Sequence, residues 1–135
     1  STVIGIGEQS QHLIPTLIRS CLYGEEMPFI REPSHDFIDV KDVMSGVLKV
    51  IENMGKNIRS INISSGKQYT NEEVREIVEK MTNKKANIKY IEGKMREYDT
   101  KDWKVDNSKL LSLGWQPLFT LEDTITKMIK EQVWN

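Results

Sequence analysis

Helical and strand patterns alternating along 135 residues predict a small, single-domain α+β fold with at least four helices and three short strands. Three observations carry that prediction. Apolar residues recur at helical spacing in segments bounded by capping residues and glycine. Short apolar or alternating runs separate those segments, and no repeat, low-complexity run or linker-like stretch divides the chain. A chain of this length buries roughly two-thirds of its unfolded surface in one core. Its 38% hydrophobic and 29% charged residues are those of a globular chain, not a disordered one.

The first helix is expected over Ser10–Tyr23, with Leu13, Thr16, Leu17 and Cys21 on one side and Pro15 in the first turn, where its missing N–H costs little. Met27–Ile30 is a short apolar run, and Asp36–Val40 sets Phe37 against Ile38 as a brief strand. Asp39 then caps a second helix, with Asp42 three residues on as a capping-box-like partner. That helix carries Val40, Val43, Met44, Val47, Leu48, Ile51 and Met54 at helical spacing and stops at Gly55. Ser60–Ile63 is expected as a strand running into Ser64-Ser65-Gly66. Thr70 and Glu73 form a capping box for a third helix with Val74, Ile77, Val78 and Met81 on its apolar face. Asn87–Ile91 alternates as a strand, and Asp106 opens a short helix that Gly114 ends and Pro117 keeps from continuing. Thr120 and Asp123 cap the last helix, which carries Leu121, Ile125, Met128 and Ile129, with Val133 a candidate addition.

Several function classes are excluded. The net charge of −1, with both signs interspersed, leaves no electrostatic footprint for nucleic acid. The apolar stretches are too short to span a bilayer, so no membrane partner is expected. Cys21 stands alone inside an apolar helical pattern and is expected as a buried structural thiol. With no signal-peptide pattern, these features point to the cytoplasm. The first residue is Ser1 and not Met, as in a processed or truncated chain.

Two segments imitate cofactor motifs. Gly5-Ile6-Gly7 followed by Ser10 approaches a dinucleotide fingerprint, but only four residues precede it and the third glycine is missing, so a turn is expected. Tyr90 and Lys94 have the Tyr-x-x-x-Lys spacing of a reductase pair. Tyr90 lies in a strand pattern and Gly93 interrupts any helix, so the two groups would stand roughly 13 Å apart along a strand at about 3.3 Å per residue.

The remaining motifs, in order, resemble the second half of the extended short-chain dehydrogenase/reductases, the NAD-dependent nucleotide-sugar epimerases and dehydratases. Val3-Ile4-Gly5-Ile6-Gly7 resembles that family's Tyr-Gly-Pro-Gly stretch, and His12-Leu13-Ile14-Pro15 with Leu17-Ile18-Arg19 its first substrate-domain helix. His35-Asp36-Phe37-Ile38-Asp39-Val40-Lys41-Asp42-Val43 resembles Arg-(Asp/Glu)-(Phe/Tyr)-Ile-(Tyr/His)-Val-x-Asp-(Val/Leu). Asn62-Ile63-Ser64-Ser65-Gly66 resembles Asn-(Ile/Leu)-Gly-x-Gly. Arg96 to Asp99, Asp106-Asn107-Ser108-Lys109 and Leu113-Gly114-Trp115-x-Pro117 resemble the family's ending.

The resemblance implies a substrate-binding half without its Rossmann half, over residues 1–135, with 1–8 the remnant of the connection. It implies NAD in the parent enzyme and none in this chain, a nucleotide-diphosphate sugar as ligand, and no catalytic residue here. Arg96 would fork two N–H groups onto the diphosphate and Asp99 would accept from the ribose. His35 stands where the family has a diphosphate-gripping arginine, which a neutral imidazole replaces poorly unless it is charged. Arg31 is a candidate substitute, and His12 occupies the place of an asparagine contact, so the resemblance brings two histidines to one phosphate site; the open alternative is that His12 only starts a helix and His35 only edges a strand. The alternative is a non-enzymatic interaction module that kept the fold and lost that site. Segment Ser1–Glu8 is expected to be poorly anchored, or to borrow a partner chain in a dimer through exposed edges unlike the family's own.

Overall fold

The computed structural model describes residues 1–55, 60–93 and 102–134. Along the chain run β1 (Thr2–Ile4), α1 (Leu13–Tyr23), β2 (Met27–Phe29), β3 (Ser34–Asp39), α2 (Val40–Glu52), β4 (Gln68–Thr70), α3 (Asn71–Thr82), β5 (Ile88–Tyr90), α4 (Ser108–Ser112) and α5 (Leu121–Glu131). The α+β class is therefore the observed one. One sheet has the order β1-β3-β4, with β1 parallel and β4 antiparallel to β3; a second pairs β2 with β5 in parallel.

The main core lies where α1, α3 and α5 converge on the strands. Leu17, Ile18, Val74, Val78, Ile125 and Met128 are fully buried there, beside Ile4, Phe29 and Phe37. Each such side chain contributes about 1.5–3 kcal/mol on leaving water. The capping boxes expected at Thr70–Glu73 and Thr120–Asp123 both form, which fixes where α3 and α5 begin. Cys21 is free and buried, and burial pushes its thiol up, away from reactivity. Helix α1 starts at Leu13, later than Ser10, and His12 takes the cap position without a side-chain cap bond.

Three expectations need correction. Segment Ser1–Glu8 is anchored by this chain alone: Thr2, Val3 and Ile4 pair with Phe37, Ile38 and Asp39. Ser1 Oγ donates to the Ile63 carbonyl, and Gly7 N–H donates to that of Val133. Ser60–Ile63 is not a strand; Ile61 and Ile63 instead pack in a second small core with Ile38, Leu110 and Trp115, so burial and not a ladder explains their alternation.

Asp42 does not complete a capping box with Asp39. Its carboxylate, 1% exposed, accepts from the backbone N–H of Leu118 at 2.9 Å and Phe119 at 3.0 Å. Asp39 does cap α2, accepting from Lys41 N–H, and its other oxygen accepts from Thr124 of α5.

The apolar stripe of α2 faces outward. Val40, Met44, Val47, Leu48 and Ile51, with Met54 just beyond, lie exposed, whereas Asp42 and Gly46 are the buried positions. A Cβ on Gly46 would stand 3.0 Å from Ile63 Cγ2 and 3.3 Å from Leu110 Cδ2, so the inward side admits only a small residue there. Helical periodicity locates an apolar stripe but does not say which partner it meets.

Asp42→Ala is expected to destabilise the domain by about 3 kcal/mol, because two backbone N–H groups lose their acceptor in the interior. The melting temperature should fall by roughly 10 °C. Thermal denaturation monitored by circular dichroism checks this, and a change within about 0.5 kcal/mol would show the 118–119 turn to be held some other way.

Candidate functional site

The residues with binding chemistry sit in three neighbourhoods arranged along β3. At the C-terminal end of the β1–β3 pair, the chain turns through Gly5–Gly7 and reaches His12 at the start of α1. His12 Nδ1 lies 3.1 Å from Glu8 Oε1. The Glu8 side chain is 8% exposed against 39% for His12, so the carboxyl sits behind the ring. Glu8 Oε2 is buried without a hydrogen-bond partner. Burial pushes the Glu8 carboxyl above its usual range, opposed by the hydrogen bond and the charge of His12.

At the other end of β3, His35 faces Tyr69 across the antiparallel ladder. Its ring centroid lies 5.8 Å from that of Phe37 and 6.1 Å from that of Trp103. Trp103 is fixed in turn by its N–H, which donates to Gln68 Oε1. Four residues separate His35 from Asp39, the partner of Ile4, which is roughly 13 Å of strand. His12 and His35 thus have different immediate neighbours, Glu8 for the first and Phe37, Tyr69 and Trp103 for the second.

Arg31 forms the third neighbourhood. Its guanidinium carbon stands 3.9 Å above the Tyr90 ring, which itself meets Phe29 edge-on, and Nε is 3.9 Å from Glu72 Oε1. The side chain is 58% exposed. Tyr90 lies on strand β5, as the argument against a reductase pair requires; Lys94 lies outside the described residues. Arg96 and Asp99 also lie outside the described residues.

Three residues with a part in this region were not singled out from the sequence. Asp36, wholly buried, accepts from Ser65 N–H at 3.0 Å, Ser65 Oγ at 2.8 Å and Gly66 N–H at 3.0 Å. It thereby closes the Ser64–Gly66 turn onto β3, where Gly66 adopts a φ of +74° against Asn107. Its signal was its place between His35 and Phe37 in the strand motif. Glu8 had a weaker signal, four residues before His12, and Trp103 had none.

The Gly5–Gly7 turn does not suit a dinucleotide phosphate, since Gly7 N–H is committed to Val133 and α1 begins only at Leu13. Among the described residues no group of three His, Cys, Asp or Glu side chains could hold a metal ion. No helix among them is long and apolar enough to cross a membrane.

Comparison with known proteins agrees with the resemblance read from the motifs. Residues 1–64 match the NAD dependent epimerase/dehydratase family. The chain is 29% identical over 129 residues to CDP-abequose synthase of Salmonella muenchen, covering 94% of this chain and 44% of that protein. It is 24% identical over 127 residues to GDP-L-colitose synthase of Yersinia pseudotuberculosis, covering 89% and 41%. The chain thus spans less than half the length of the curated relatives it matches. A variant of UDP-glucuronic acid 4-epimerase from Bacillus cereus, solved with a UDP-sugar and NAD, superposes with a TM-score of 0.84 at 22% identity, over 97% of this chain and 43% of that one. UDP-glucose 4-epimerase of Thermotoga maritima, solved with UDP-glucose, gives 0.80 at 21% identity, over 96% and 42%. These superpositions establish the fold as one shared with part of such chains.

Asp36→Ala is expected to release the Ser64–Gly66 turn, at a cost of about 3 kcal/mol for buried N–H groups left without an acceptor. Hydrogen exchange should show Ser65 and Gly66 losing protection first, whereas Arg31→Ala leaves the melting temperature unchanged. Retained protection at both amides in Asp36→Ala would contradict this assignment.

Proposed function

From its match to the NAD-dependent epimerase/dehydratase family, we propose that this chain is the nucleotide-diphosphate-sugar-binding half of such an enzyme, unable to turn over substrate alone. The observation that carries the reading is the outward stripe of Val40, Met44, Val47, Leu48 and Ile51 on α2, continued by Met54. A helix face of that kind calls for a partner. Beside it, Val3 on β1 is 46% exposed, and β1 is the edge of its sheet among the described residues. Stripe and edge are continuous, since a Cβ on Gly5, next after β1, would stand 2.9 Å from Val40 Cγ1. An apolar helix face next to an open parallel edge fits a further parallel sheet whose covering layer includes α2. The missing N-terminal Rossmann half is such a sheet, and the coverage of 44% and 41% of the two relatives leaves room for it. That half would carry the NAD, whose chemistry is hydride removal and return at a sugar carbon.

In this reading the chain binds and orients. Arg96 donates to the diphosphate, Asp99 accepts from the ribose, and His12, His35 and Arg31 are the remaining diphosphate-side candidates. Binding energy gained at the nucleotide, away from the reacting carbon, holds the sugar for the chemistry done by the other half. The alternative, a module that kept the fold and lost the site, draws on the packing of His35 against Phe37 and Trp103 where the family places an arginine.

Calorimetry with UDP-glucose, CDP-glucose and GDP-mannose separates the two. The clamp predicts measurable binding that Arg96→Ala weakens by about 10- to 100-fold, the worth of a charge-assisted pair. Binding indifferent to Arg96→Ala would contradict it, and no binding at all would favour the module. Incubating the chain with the same sugars and NAD should give no turnover, and any epimerised or dehydrated product would overturn the half-enzyme reading.

Met44→Asp with Leu48→Asp tests the seam. Both positions face solvent here, at 58% and 57% exposed, so the isolated chain should keep its melting temperature. A large loss would mean that the stripe belongs to this chain's own core. Light scattering on the same pair of proteins shows whether a second copy covers the stripe.

A further inference from the structure

We propose that Glu8 is a positioning residue for the nucleotide-sugar diphosphate: it holds His12 by Nδ1, so that the exposed Nε2 is the nitrogen offered to the phosphates. The inference rests on the clamp reading and extends it to a residue that contributes no direct contact.

The geometry sets the order of the two groups. Glu8 leaves the Gly5–Gly7 turn, and its side chain is only 8% exposed, with Oε2 shut away from any donor. It is therefore not a ligand group. His12 lies in front of it, 39% exposed, with Nδ1 at 3.1 Å from Oε1. A carboxyl oxygen at that nitrogen accepts its N–H, which fixes the ring orientation and leaves Nε2 to face outward. A second proton on the ring can then enter only at Nε2, where it makes a charged donor suited to a phosphate oxygen.

The carboxyl also needs that proton. One of its two oxygens has no donor, and burial opposes its charge, so a cationic imidazole in front of it offsets the cost. An anionic diphosphate at Nε2 favours the same state, so ligand and proton should bind together. Charged residues on the elements beside this loop have other partners: Arg19 of α1 donates to Glu25 and to the Ser10 carbonyl, and Lys127 of α5 lies 3.6 Å from Asp39. His35, at the other end of β3, packs with Phe37 and Trp103 and has no part in this pair.

Affinity for UDP-glucose, CDP-glucose and GDP-mannose at pH 6 and pH 8 tests the proposal. Their diphosphates are esterified at both ends and keep one charge on each phosphate, two in all, across that interval. The wild-type chain should bind about tenfold more tightly at pH 6, within the limit set by one linked proton over two pH units. The sign follows because the binding form carries the extra proton. In Glu8→Gln, which keeps the shape and removes the charge, and in His12→Gln, the ratio should fall below about twofold. Persistence of the full ratio in Glu8→Gln, its absence in the wild type, or its loss only in His35→Gln would overturn the inference and leave the clamp reading standing. If none of the three ligands binds at either pH, the clamp reading falls. The hold on the ring is then decided by the ligand-free ¹⁵N spectrum, where the Nδ1–H tautomer of His12 should dominate and give way to Nε2–H in Glu8→Ala. An unchanged spectrum would overturn it.

Discussion

Three buried carboxylates spaced three residues apart, Asp36, Asp39 and Asp42, tie the later half of the chain to β3 and α2. They are 0%, 5% and 1% exposed. Asp36 holds the Ser65–Gly66 turn, Asp39 caps α2 and reaches Thr124 of α5, and Asp42 gathers the backbone of Leu118 and Phe119. Each is at least partly satisfied by donors from a distant segment, so none is a buried charge left bare. Losing one would leave donors in the interior without an acceptor as well as a distant segment unattached, which makes this motif the organising constraint of the fold.

Those attachments explain why α2 turns its small, polar side inward. With Asp42 and Gly46 committed to the turn at Leu118–Phe119 and to the Leu110–Ile63 cluster, the larger apolar residues of the helix must face away. The domain keeps its own core between α1, α3 and α5 and leaves a second apolar surface for something else. Packing inside the chain and the outward face of that stripe therefore follow from the same residues.

Much of this was legible in the sequence. The capping residues of α3 and α5, the glycine stop near Gly114 and the buried Cys21 all express local chemistry, and the structure places them as the patterns imply. The order of the motifs carried the resemblance, with which the family match over residues 1–64 and the similarity to the two curated relatives agree. What remained hidden depends on contacts distant in sequence. Nothing near Asp42 announces Leu118, nothing in Ile61 and Ile63 distinguishes a strand from two buried side chains, and a helical stripe does not name its partner. The anchoring of Thr2–Ile4 was hidden likewise, because a three-residue run has no periodicity and its neighbour β3 lies over thirty residues away. At the site, nothing in the sequence near His12 or His35 announces the neighbours each one has, Glu8 for the first and Trp103 for the second.

The central claim is that the α2 stripe and the β1 edge are one face of a seam whose other side is a nucleotide-binding half. The reading frame upstream of the codon for Ser1 tests this most directly. The account predicts a frame continuous with this one, encoding a Gly-rich strand–turn–helix fingerprint and, further on, a helical Tyr-x-x-x-Lys. An initiation codon immediately before Ser1, or an upstream frame encoding an unrelated domain, would contradict it.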